Sequence, residues 1–476
     1  MTRRRIGPIL SLVLLVGLAA VVLVLETRRG DDGDGTAADR AIPFERSDLK
    51  AIAIRGKDGA LRLEKAGDAW LLTEPLAADS DPDAVEGLLS SMESARIERR
   101  LGEDPGPAAY GLAPPGTVLT LELAAGETRV LGVGEGSPIG GGFYALLPDG
   151  KEVAVVGASL GDVTRQTALS LRDKRLLDFD PWKIRRLRIE RGRDSVLLER
   201  PEPGWRLREP IESPADGPTI TDLLTALQGL RARTFVSEKP AGADLRRFGL
   251  SPPAARMTLL QEGWDVEKSV LFGKATGDGR LARTVGRDPV VTVPGEFWEK
   301  VRTGIFDLRR KDILDVSQYR IGSITAAVDG GPALVITRRP EDGWGVSGPV
   351  TGAVKSETVD ELLRHIANLK AVSFIDHPTG AQRAALSRRP ALDLTLQEEA
   401  GADGAAGRSQ HVIVGPPGPR NTAPARDMAW RAIVIVSGSV PAGIRTALEA
   451  VRAEAAQPPP ESAPISPPGT GQAPPP

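Results

Sequence analysis

The chain has 476 residues, 41% hydrophobic and 26% charged, and its 61 Lys and Arg face 63 Asp and Glu for a formal charge of −2. This balance fits folded material of roughly three domains and offers no overall field to attract a polyanion, so nucleic acid is not expected as a partner. With no cysteine, disulfides, thiolate nucleophiles, iron–sulfur clusters, cysteine-linked lipid and the usual structural zinc sites are excluded.

Residues 1–5 (MTRRR) read as a short cytoplasmic N-terminus. The run 6–25 is apolar except for Gly7, Pro8, Ser11 and Gly17. At ~1.5 Å per residue it extends ~30 Å, enough to cross a hydrocarbon core as one transmembrane helix. Arg3–Arg5 before it outnumber Arg28 and Arg29 after it, which Glu26, Asp31, Asp32 and Asp34 accompany; this modest bias orients the N-terminus inward and the body outward, at the cytoplasmic (inner) membrane. Cleavage after Ala19-Ala20 would leave Val21–Leu25 as a greasy new terminus, so an anchor is read in preference to a cleaved signal. Residues 26–46 read as a polar linker.

Beyond the linker the sequence repeats. Trp70, Trp205 and Trp344 each sit in a strand-like run. Fifteen residues after each Trp begins an apolar quartet: Val85, Leu88, Leu89, Met92; Ile220, Leu223, Leu224, Leu227; Val359, Leu362, Leu363, Ile366. The i, i+3, i+4, i+7 spacing predicts one amphipathic helix per copy. Pro82 and Pro218 suit a first helical turn, and Ser356 is read as the third N-cap. Tyr110-Gly111-Leu112 matches Phe248-Gly249-Leu250, whereas the third copy has Leu386-Ser387-Arg388-Arg389-Pro390 and is degraded there. LRDKRLLDFD (171–180) matches LRRKDILDVS (308–317). Each copy reads as three strands, a helix, a strand, a loop and four short strands. The expected fold class is α+β: three tandem, mainly antiparallel repeats at 47–180, 181–317 and 318–456. The Pro-rich segment 457–476 cannot bury apolar surface and reads as a disordered tail.

The N-terminal span, the Trp strand, the Tyr-Gly-Leu motif and above all LRDKRLLDFD resemble a bacterial family, domain of unknown function 4340. The resemblance implies association with ABC-type transport systems, in gene contexts like those of gliding motility. It brings no catalytic or binding residue with it.

The repeats provide an internal control on the chemistry-bearing motifs. Gly157-Ala158-Ser159-Leu160-Gly161 fits G-x-S-x-G, with a strand before it and a helix after it. The matching positions in the other copies are Glu296 and Ser439, so the turn recurs whether or not a Ser is present. His365, His377 and His411 have no metal-ligand spacing. Gly132–Gly136 and Gly140–Gly142 precede a strand, as does Phe272-Gly273-Lys274, so they read as hairpin loops; a phosphate loop needs a helix start. Asp31-Asp32-Gly33-Asp34 lacks the rest of a calcium loop. Lys183–Ile189 alternates Arg with Leu187 and Ile189 and reads as a strand with one wet face. No catalytic, cofactor or metal residue is therefore assigned, and no cofactor or enzyme activity is expected. The expected function is a membrane-anchored, periplasmic or extracellular accessory protein of an ABC-type transporter. The alternative is a cell-envelope polysaccharide-binding module, for which Tyr110, Phe248 and the repeat Trp residues are the candidates if their rings are exposed; a serine hydrolase centred on Ser159 is the remote third reading.

Overall fold

The computed structural model describes residues 39–457 except 58, 103–105, 139, 278, 340–342 and 401–406. The apolar run 6–25, most of the linker and the Pro-rich segment after Gln457 lie outside the described residues. Among the described residues no helix is long and apolar enough to cross a membrane. The chain divides into two compact units, up to residue 174 and from 175 onward.

The first unit holds one nine-stranded sheet. Its strands are β1 (Leu49–Gly56), β2 (Gly59–Ala66), β3 (Ala69–Glu74), β4 (Ala78–Asp79), β5 (Ile97–Gly102), β6 (Thr117–Leu123), β7 (Thr128–Gly136), β8 (Phe143–Leu146) and β9 (Val153–Val156). They stand in the order β4-β3-β2-β1-β6-β7-β8-β9-β5, and the pairings are antiparallel. The second unit holds two more nine-stranded sheets, one with strands from Ile184 to Pro294 and one from Ile321 to Ser437, in the same order strand for strand. The architecture is thus mainly antiparallel β with helices, three times over. The expected eight strands per copy become nine; the extra one, equivalent to β4, is two or three residues long, too short to show a period of two.

Each repeat helix forms where the apolar quartet placed it: Pro82–Glu93, Gly217–Gln228 and Ser356–Ala367. Asp81 caps the first by accepting the Asp83 and Ala84 N–H groups, and Asp216 caps the second through Thr219 N–H. The third differs from expectation. Lys355 is its cap residue and Ser356 is already helical. Glu454 fills the capping role from another helix, accepting the Lys355 N–H at 3.1 Å and the Thr358 hydroxyl at 2.6 Å, where a carboxylate also meets the helix dipole.

The helix joins the two opposite edges of its sheet, which forces curvature. Nine strands at ~4.8 Å spacing would span ~38 Å if flat. In the third repeat the connection is a 12-residue helix of ~18 Å plus four extended residues of ~13 Å. The sheet must curl, and the quartet side chains fill its hollow side. All twelve quartet residues are buried, each worth roughly 2 kcal/mol of removed apolar surface. The facing strands alternate accordingly, as in Leu119, Leu121 and Leu123 of β6 and Leu392, Leu394 and Leu396 of its third-repeat counterpart.

A strap precedes the first strand of each sheet. Ala41, Ile42 and Phe44 pack in the first core, Leu176, Leu177 and Phe179 in the second, and Ile313 in the third, with Leu314 and Val316 against it. An antiparallel bridge fixes each strap: Arg40 to Arg96, Arg175 to Arg231, Asp312 to Lys370. The LRDKRLLDFD motif is therefore a seam. Leu171 belongs to the first core, and Leu176, Leu177 and Phe179 to the second.

The third copy keeps the function of the motif it lost. Gly134 and Gly273 lie where a Cβ would stand 2.3 Å from the Tyr110 carbonyl and 2.4 Å from that of Phe248, with Leu112 or Leu250 over them. In the third repeat Gly415 holds this place, and Leu386, on the helix Gly380–Arg388, sits over it.

Candidate functional site

Within the second unit a cleft of about 830 Å³ opens between the second and third sheets. Trp205, Arg206 and Ser213 line it on one side, and Arg310, Gln410 and Trp430 on the other. Several of its polar groups are engaged with one another, while the Arg310 Nε is enclosed without a hydrogen-bond partner. The Gln410 Nε2 donates to the Ile313 carbonyl at 2.7 Å and to Asp427 at 2.5 Å, and its Oε1 accepts the Asp315 N–H at 2.7 Å. Asp427 also accepts the Ala429 N–H at 2.8 Å. Asp315 faces Arg310 at 2.7 Å and Arg408 at 3.5 Å. Arg408 also pairs with the buried Glu398, whose carboxyl is held below its ordinary range by the Ser317 N–H and then by Arg408. Hydrogen bonds and ion pairs tie these carboxylates into the wall of the cleft.

Ser159 does not occupy a nucleophile elbow. Its backbone is ordinary right-handed helix (φ −56°, ψ −26°) at the start of Leu160–Thr164, where an elbow needs a strained turn that exposes the hydroxyl. The Oγ is enclosed and has no hydrogen-bond partner. The three histidines lie apart: His365 against Glu361 at 3.0 Å, His411 against Asp393 at 2.7 Å, and His377 exposed in a loop. Among the described residues no group of three or more His, Asp or Glu is placed to hold a metal ion. The acidic residues 31–34 lie outside the described region.

The glycine-rich stretches also belong to the fold. Gly132, Gly134 and Gly136 lie in strand β7 rather than in the loop the sequence suggested, and only Gly140–Gly142 lie in the turn that follows. The basic run forms strand Ile184–Arg191 with Leu187 and Ile189 buried. Its arginines are neutralised nearby: Arg185 by Glu262 (2.6 Å), Arg186 by Glu199 and Glu267 (3.3 Å each), Arg188 by Glu209 (2.8 Å).

Of the aromatic candidates, Trp205 and Trp344 are core residues, 8% and 3% exposed. Trp70 is half-buried against the first core. Tyr110 and Phe248 are half-buried, one beside Tyr144 at 4.6 Å between ring centroids and the other under the Arg247 guanidinium at 5.0 Å. The two most exposed rings among the described residues, Trp182 (68%) and Tyr319 (81%), are ones the sequence did not single out. They occupy equivalent places two residues before the first strand of the second and third sheets. Aligning DPWKI with SQYRI across the repeats is the signal that finds them.

No curated protein and no solved structure matches this chain. The model of the family described as Domain of unknown function (DUF4340) matches residues 70–206 and 205–388. Both windows open at the repeat Trp, inside a sheet; the first ends in the third strand of the next sheet and the second at the end of the helix Gly380–Arg388. Together they cover more than half of the sequence, with the LRDKRLLDFD seam inside the first and its counterpart at 308–317 inside the second; the chain belongs to the DUF4340 family.

Proposed function

We propose that the chain is a single-pass, membrane-anchored accessory protein whose body lies outside the cytoplasm and works by contact with an ABC-type transport assembly. One observation carries this reading. The Trp strand and the helix quartet that all three repeats share, and the aromatic-Gly-Leu corner and the seam motif that each occur twice, all go into building the fold. What the repeats leave to vary is surface, as expected of a protein that acts through contacts. The apolar run 6–25, flanked by Arg3–Arg5, supports the anchored placement. Crosslinking in intact cells, mild solubilisation and affinity capture test the reading. Recovery of permease or ATPase subunits of an ABC-type system is expected; their absence from captured material that still contains the crosslinked chain counts against it.

A second reading, a module for a cell-envelope polysaccharide, draws on the exposed rings of Trp182 and Tyr319, because sugars stack on exposed aromatic faces. Loss of polymer retention in Trp182→Ala and Tyr319→Ala variants distinguishes it from the first.

A further inference from the structure

Leu314, Val316, Tyr319, Leu363, Ile366 and Ala367 line a groove of about 330 Å³ in the third repeat. The other repeats fill the same place. Where the third has Val316 and Ala367, the second has Phe179 and Gln228, and the Gln228 side chain donates to the Phe179 carbonyl at 3.2 Å. The first has Phe44 and Glu93, with Glu93 held by Arg46 at 2.7 Å. Two smaller side chains thus open in the third repeat what bulk and polar bonding close in the other two. Tyr319 stands exposed at the mouth.

We infer that this groove binds the proline-rich segment 458–476 of the same chain. The segment continues from Gln457, just past the terminal helix Ser439–Ala455. The end of that helix lies against the start of Ser356–Ala367, through the bonds from Lys355 and Thr358 to Glu454. Leu363, Ile366 and Ala367 lie toward the other end of Ser356–Ala367, at most one helix length of ~18 Å away. Nineteen residues at ~3.1 Å each reach ~59 Å, several times what is needed. The chemistry agrees. Proline-rich segments dock on aromatic-lined apolar grooves because their extended form loses little entropy on binding. Pro464-Ile465-Ser466-Pro467-Pro468 offers prolines for the Tyr319 ring and an aliphatic side chain for the slot that Phe179 fills in the second repeat. Glu461 is the one charged residue of the segment, so docking need bury no unpaired charge.

Amide hydrogen exchange on the full chain in detergent micelles, compared with a variant ending at Gln457, tests this. Peptides covering 312–321 and 363–367 should exchange about threefold faster in the shortened chain, as for ~1 mM effective concentration against a Kd of ~0.5 mM. The equivalent peptide 176–184 should not change. With the groove filled by Val316→Phe and Ala367→Gln, shortening the chain should have no effect on these peptides; if that variant does not fold, Tyr319→Ala in the full chain should remove the protection. Equal exchange in the full and shortened chains overturns the inference. So does protection that grows with protein concentration, because the segment would then sit on a second copy.

Discussion

Arg309 lies at the seam inside the second unit and is 3% exposed. Its Nε donates to Ser213 Oγ at 3.1 Å, its Nη1 to Asp376 Oδ1 at 2.5 Å, and its guanidinium lies 3.6 Å from the Phe374 ring centroid. Ser213 belongs to the second sheet, and Phe374 and Asp376 to the end of the third sheet's edge strand and its continuation. One buried cation therefore ties the two sheets. Arg309→Ala removes all three contacts and leaves Asp376 without this partner. Breaking one side of a buried pair costs about 3–5 kcal/mol. The Asp376 side chain is 27% exposed, so water recovers part of that, while a lost cation–π contact adds about 1 kcal/mol. We expect a loss of about 3 kcal/mol, or ~6 °C in Tm at ~2 °C per kcal/mol. Arg309→Lys keeps the charge without the planar fork and should lose about half as much. Urea unfolding followed by tryptophan fluorescence measures both. An Arg309→Ala variant within ~0.5 kcal/mol of the parent, the range of surface changes, would mean that the buried contacts of Arg309 do not tie the two sheets together.

Gly273→Ala should destabilise by about 2–4 kcal/mol in the same assay, because the new Cβ meets the Phe248 carbonyl at 2.4 Å; Gly126→Ala, with nothing within 4 Å but a φ of +83°, should cost about 1 kcal/mol. Ser159→Ala should leave any esterase activity of the preparation unchanged and stabilise the fold by up to about 1 kcal/mol, since it removes an enclosed hydroxyl with no partner; an activity lost with the hydroxyl would restore the hydrolase reading. Glu398 has its folded pKa lowered by the Ser317 N–H and Arg408, so its contribution is present above the unfolded value of ~4.3 and is lost as pH falls through the folded one. Glu398→Gln should therefore cost about 1–2 kcal/mol at neutral pH and almost nothing at acid pH; a pH-independent deficit in urea unfolding would contradict that assignment.

Much of the fold was legible because its signals are local and repeat. The three apolar quartets specify helices through a spacing that survives any change of context. The Asp-capped starts at Asp81 and Asp216 follow from adjacent residues. Lys355 does not, because its partner Glu454 is 99 residues away. The same limit explains the third corner. Leu386 replaces Leu250 over a glycine from a different local structure, a helix in place of the aromatic-Gly-Leu turn, so the sequence reads as decay where the packing is retained. The seam was recognised as a motif, but which side of it joins which core depends on tertiary packing. The groove beside Tyr319 became visible only when Val316 and Ala367, distant in sequence, proved to be neighbours.

The absence of cysteine permits a clean test of the central claim, that an anchored chain presents its sheets outside the cytoplasm. Single cysteines are introduced at Thr2→Cys and at Ser47→Cys, the latter an exposed position, and intact spheroplasts are treated with a membrane-impermeant maleimide. Ser47→Cys should be labelled from outside, and Thr2→Cys only after the membrane is opened. Labelling of both positions only after opening would place the sheets on the cytoplasmic side instead.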